Sequence, residues 1–401
     1  MPAARSDFQL RTAALIAAAV AAALLGAACG GSSGGSSSPP PPTVTTNLWV
    51  VADDAAALGA TPKAAFTTGD LYVNAHTVAH AGGEVRGQLD KAGTVRLATL
   101  DGAQETPAVT TTAFGASAIA VDGSTGAVRG FIITSGLTGA TAAHIHDGAR
   151  GAPGGVIVPL TGGPDVWVVP DGQANLTPAQ IADFQAGKLY VNVHTPAHGG
   201  GEIRGQLDKA GTIRLASLDG AQETPSPGVT TTAFGAGVVS VDEATGDVRG
   251  FVISSGVTGT LAHIHPGARG AAGSPLVGLT GGPSLWVVPD QQAALAAADV
   301  TAFTGGGLYA NVHSAAHPGG EIRGQLSKSG TVRLASMDGA QETPAAITTS
   351  AFGAGLVSVD DTSGEVAGFI VTGGLVDPTN AHIHQAARGA GGGVVTGLHG
   401  P

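Results

Sequence analysis

The chain has 401 residues, of which only 4% are aromatic and 12% charged, while glycine numbers 65. Cores must then be built from Val, Leu, Ile and Ala between frequent turns, which suits small β-modules and excludes long amphipathic helices. A formal net charge of −11 without any Lys/Arg-rich run excludes nucleic acid as a partner, and a single cysteine, Cys29, excludes an internal disulfide.

Arg5 and Arg11 flank the start of an almost wholly apolar run over residues 12–28. That order is the pattern of a signal peptide over residues 1–28. The following stretch, LLGAACG, resembles a bacterial lipobox, with Gly26 where a Leu is usual. The resemblance implies cleavage before Cys29 and its lipidation; an uncleaved anchor and an ordinary secretory signal cut near Ala28 are the other readings. Residues 29–46 continue with a Gly/Ser tract and then four prolines, the composition of a flexible and then stiffer tether. Together these features predict a protein of the bacterial cell envelope, periplasmic or at the cell surface, whose membrane partner is reached through the lipid anchor.

From residue 47 onward the chain repeats itself. Trp49, Trp167 and Trp286 sit in copies of [LV]WVV, and DGAQETP recurs at Asp101, Asp219 and Asp338, a period of about 118 residues. In the middle copy a short strand over 166–169 precedes a helix that Thr177 caps, with Pro178 in its first turn and Ile181 and Phe184 facing inward. A hairpin over 189–207 comes next. Alternating segments over 212–218, 233–241, 248–253 and 261–265 predict further strands. About seven strands and one short helix per period predict an all-β protein of three tandem antiparallel β-sandwich or barrel modules.

The hairpin carries the chemistry. Its copies, 71–89, 189–207 and 308–326, read LYVNVHTPAHGGGEIRGQL with few changes. Val191 and Val193 alternate with Tyr190, Asn192 and His194, so the valines face the core and His194 faces away. A Gly-rich turn then gathers His194, His198 and Glu202 at the closed end.

LDGAQETP, then AHIH followed by Gly and Arg, then GxLYVNVHTxxHxGGEIRGQL resembles the CHRD (chordin) domain, in that family's order and spacing. The resemblance implies an all-β fold. In family phase it divides the chain into a C-terminal half-module (47–99), two modules (100–217 and 218–336) and an N-terminal half-module (337–401). Either the two halves complete one another, closing a three-module ring or joining a second copy, or each unit folds in permuted order.

Each period also holds a His-x-His pair whose two imidazoles share one face of a strand. With the hairpin they give candidate metal-ligand sets His144, His146, His194 and His198; His263, His265, His313 and His317; and His382, His384, His76 and His80. Imidazole suits Cu or Zn, and no thiolate competes within the repeats. Such binding is expected to weaken below about pH 6 as imidazoles protonate. The alternative is that these histidines bridge strands by hydrogen bonds. Glu84, Glu202 and Glu321 are candidates for bonding to a ligand ring or for pairing with Arg204, Arg269 or their counterparts. Gln222 and Glu223 are expected to bond to backbone, and Arg150, Arg269 and Arg388 to be solvated loop charges or anion contacts. No nucleophile elbow or phosphate-binding loop is present, so the residues favour a binding or structural module for a protein or surface ligand. A copper- or zinc-handling protein, or a metalloenzyme of the superoxide dismutase type, is the alternative.

Overall fold

The computed structural model describes residues 46–401 except Ser226, and only the backbone of Lys91 and Ala92. The signal peptide, Cys29 and nearly all of the tether lie outside the described residues.

Three eight-stranded antiparallel barrels fill the described chain. Around the first run Val166–Val168, Val128–Ser135, Phe114–Val121, Thr94–Asp101, Ile203–Gln206, Leu189–His194, Ala142–Asp147 and Gly155–Gly162, the last strand returning to the first. Its interior takes the apolar alternation of each strand: Leu189, Val191, Val193, Ile145 and Ile203 pack with Trp167 and Phe184. The helix Pro178–Gln185 is opened by a capping box between Thr177 and Gln180, a device that contributes about 1 kcal/mol, and it inserts Phe184 into this core. The counterpart helices Ala60–Thr68 and Ala297–Thr304 begin without a side-chain cap.

The eighth strand is where the structure departs from the sequence pattern. Gly155–Gly162 pairs on one side with Ala142–Asp147, through an irregularity between Ile145 and His146, and on the other with Val166–Val168. Its glycines and Pro159 weaken any strand signal, yet it supplies the pairing that leaves no open edge.

The second barrel repeats this order from Thr212–Asp219 to Ile322–Gln325. The third is split. Thr46–Val51 pairs with Val366–Gly373, placing Trp49 opposite Ile370; Leu71–Thr77 pairs with Pro378–Gln385; and Val85–Gln88 meets Thr331–Asp338 at Arg86 and Asp338. Residues 46–92 and 331–401 thus share one core, in which Trp49, Phe66 and Val73 pack with Met337, Ile370 and Ile383. The expected boundaries at 99/100, 217/218 and 336/337 fall inside the strands Thr94–Asp101, Thr212–Asp219 and Thr331–Asp338, each of which pairs within the barrel that follows.

The barrels meet around an axis lined by a fourth apolar cluster, at whose centre Phe131, Phe251 and Phe369 make mutual edge-to-face contacts with centroids 5.9–6.3 Å apart. The three junctions run head to tail. Thr99 Oγ1 of the first barrel donates to Val288 O of the second at 2.5 Å, and Ser217 Oγ of the second to Val51 O of the split barrel at 2.5 Å. Ser336 Oγ then donates to Val169 O and closes the cycle.

Candidate functional site

Each barrel carries three histidines on the outer face of its sheet: His144, His146 and His194 in the first; His263, His265 and His313 in the second; His382, His384 and His76 in the split barrel. Antiparallel pairing brings them together, because Ala142–Asp147 lies beside Leu189–His194 with Asn192 opposite His144. In each group one ligand nitrogen per ring lies within 4.8 Å of the others. Such a triangle fits a circle of radius at most about 2.8 Å, close enough that small side-chain rotations would bring three nitrogens to the ~2.0–2.1 Å of a Zn–N bond.

The proton positions follow from the neighbours. His146 Nδ1 faces Gly154 O at 3.0 Å, and His194 Nδ1 faces Gly199 O at 3.1 Å. A carbonyl oxygen only accepts, so both Nδ1 atoms carry protons and both Nε2 atoms present lone pairs. His144 Nδ1 lies 2.9 Å from His194 Nε2. The corresponding distances are 3.1 Å for His263 to His313 and 3.1 Å for His382 to His76. The Nε2 atoms of His146, His265 and His384 are buried and make no hydrogen bond within the protein.

A stack holds each of these rings. His146 lies parallel to Tyr190, 4.8 Å between centroids and 9° between planes, and the Arg204 guanidinium covers the other face of Tyr190 at 3.5 Å. The other copies repeat it with His265, Tyr309 and Arg323 and with His384, Tyr72 and Arg86. Arg204 donates to Ala149 O and Ala152 O, Gln206 to Gly148 O, and the Tyr190 hydroxyl accepts from Gly154 N–H, so the loop that orients His146 is fixed from below. A Cβ at Gly154 would come within 1.7 Å of Asp147 O, which reserves the position for glycine. Tyr190, Arg204 and Gln206 occupy the same alternating face as His194, which is the one sequence signal of this support.

His198, His317 and His80 stand outside the groups of three. His198 instead serves the turn through its backbone, donating to Thr195 O and Thr195 Oγ1 and accepting from Gly201 N–H, and its position beyond the strand end carries it away from the sheet face. Glu202 accepts from Thr195 Oγ1 at 2.7 Å and Thr111 Oγ1 at 2.8 Å, tying the turn to the neighbouring loop rather than to an imidazole or to Arg204. Glu84 and Glu321 bond likewise to Thr77 and Thr349, and to Thr231. Gln222 donates to Ser217 O, and Glu223 accepts from the Asn311 side chain as well as from the Thr224 backbone. Arg150, Arg269 and Arg388 stay partly solvated but are not free loop charges: they pair across the junctions with Asp290, Asp53 and Asp171 at 2.7–2.8 Å.

Burial sets the protonation of the face. It lowers the affinity of every triad imidazole for protons, and with the neighbouring imidazoles it holds His144 down at about 4. Each ring therefore keeps its neutral, coordinating form to a lower pH than a free imidazole does. Beside them Glu105, Glu223 and Glu342 are buried against Asn192, Asn311 and Asn74. Burial raises all three carboxyls, Glu223 and Glu342 to about 7.

Comparison with known families matches the CHRD domain over residues 7–89, 97–207, 215–326 and 334–401. The chain belongs to the CHRD domain family. The two central CHRD matches correspond to the two continuous barrels, and the outer two to the parts that share the split barrel, the first also running through residues outside the described structure. No curated protein and no solved structure matches the chain. Among the described residues no helix is long and apolar enough to cross a membrane.

Proposed function

We propose that this CHRD ring is a binding module of the bacterial cell envelope that holds one d-block cation, Cu or Zn, in each histidine triad. The observation that carries the reading is the buried Nε2 of His146, His265 and His384: its ring's only proton is committed to a backbone carbonyl and its lone pair meets no donor. A buried acceptor is stabilised by a partner, and a metal cation beside two further imidazoles supplies one. Three imidazoles without a carboxylate or thiolate suit copper and zinc better than hard cations.

Envelope attachment through a lipid on Cys29 is part of the proposal and rests on Arg5, Arg11, the apolar run and the cysteine in that order. Three ligands leave a coordination position open, which favours a second reading in which bound copper turns over superoxide. Metal analysis of tag-free protein tests the first: about three equivalents of Cu or Zn per chain are expected, and fewer than one after loading and desalting rejects it. Superoxide consumption by the copper-loaded protein separates turnover from binding.

A further inference from the structure

The three junctions are built to one plan but one of them is stripped. Between the first and second barrels Arg150 grips Asp290 through two bonds and also reaches Asp208, and Asp290 is held from behind by buried Arg249. Between the split and first barrels Arg388 does the same with Asp171 and Asp90, and Arg129 backs Asp171. Between the second and split barrels Arg269 pairs with Asp53 and, among the described residues, with no second carboxylate, its remaining bond going to Gln222 Oε1. Ser327 stands where the others have Asp90 and Asp208, and Ala367 where they have Arg129 and Arg249. Ala52 replaces Pro170 and Pro289, and Asp54 replaces Gly172 and Gln291.

Loss of these side chains leaves a larger space. The cleft at this junction measures about 760 Å³, against about 450 and 400 Å³ at the other two. Its floor is apolar, formed by Val50, Leu218, Ala233 and Phe234. Pairing opposite Val50, His399 occupies the position of Thr161 and Thr280, and it meets the edge of Phe234 at 4.5 Å. Asp53, Asp54, Asp219 and Glu223 line the walls against a single cation, Arg269. Glu223 is 5% exposed, and its Oε1 accepts no hydrogen bond within the protein.

We infer that the cleft between the second and split barrels binds a small organic cation, an amine carried on an apolar or aromatic body. The volume falls within the few hundred to 1,000 Å³ typical of small-molecule sites, and the floor suits a ring. The acidic excess rejects anions and attracts an ammonium, for which the free Glu223 oxygen is a ready acceptor. The other two junctions, narrower and crossed by extra ion pairs, bind no such ligand.

Titration of the full chain with phenethylamine at pH 8, followed by ligand-observed NMR, tests the inference, with phenylacetate as the anionic control. One equivalent of amine and no phenylacetate is expected to bind. Ala52→Pro, which introduces the side chain the other two copies already tolerate, is expected to weaken amine binding at least tenfold with an unchanged melting temperature. Glu223→Gln is expected to weaken amine binding at least tenfold as well. No amine binding at millimolar concentration, equal binding of phenylacetate, three equivalents per chain, or affinity unchanged in both variants would each overturn it.

Discussion

The histidine face and the inter-barrel junction each occur three times in the ring, and only the first is the same every time. All three triads share the His–His contact at 2.9–3.1 Å, the carbonyl-bound Nδ1 and the His–Tyr–Arg stack. The junctions keep one Arg–Asp pair and vary the rest. Under the proposed function, the difference follows from what each would accomplish. Three nitrogens converge on a point only if every distance is held to a few tenths of an ångström, so each copy has to be complete in itself. A junction need only keep two surfaces together, and because the chain's two ends are woven into one barrel, each junction is intramolecular and helped by the other two.

The largest effect is expected from cutting that weave. Removing residues 331–401 takes away the partners of Thr46–Val51 and Leu71–Thr77, so residues 46–92 should become sensitive to protease while the two continuous barrels persist; unaltered resistance of 46–92 would contradict the shared core. At the triads, His146→Ala, His265→Ala and His384→Ala should each remove one of three equivalents of metal, with affinity at that site falling about 100-fold or more. Unequal losses, read by metal analysis of the three variants, would show that the faces are alike in geometry but not in use.

Smaller and deliberately unequal effects are expected at the junctions. Asp290→Asn strips the partner from Arg249, whose side chain is 5% exposed, and should cost about 3 kcal/mol. Asp53→Asn touches only half-exposed Arg269 and should cost about 1 kcal/mol or less. Chemical denaturation of both variants measures the contrast, and equal losses would remove the distinction between the junctions. The last expected effect is a pH dependence. Glu223 and Glu342 bind protons more tightly folded, at about 7, than unfolded. Their contribution to stability is therefore present below about pH 4.5 and lost as pH rises through 7. The double variant Glu223→Gln, Glu342→Gln should show a flatter melting temperature from pH 5 to 8 than the wild type, by a few degrees.

Much of the local structure was legible because period-two alternation is a local property. Val191 and Val193 inside and His194 outside, the Thr177 cap and the His-x-His face all follow from neighbouring residues. Gly155–Gly162 was not legible, because its glycines and Pro159 erase the propensity that marks a strand, and only closure of the barrel specifies it. The grouping of His194 rather than His198 with the His-x-His pair was hidden for a related reason. Both lie within hairpin reach by spacing, but the turn's backbone bonds decide which ring remains over the sheet.

The sequence by itself determined the all-β class, the period, the family and the set of histidines from which the triads are drawn, because each is written in residue identity at short and regular spacing. Tertiary structure decided that the two outer segments share one barrel, that Arg150, Arg269 and Arg388 reach across to the next module, and that one junction opens into a cleft. These depend on contacts between residues far apart in the chain. Asp53 and Arg269 are separated by 216 residues, and no local pattern encodes which distant partner will offset the desolvation of a given charge.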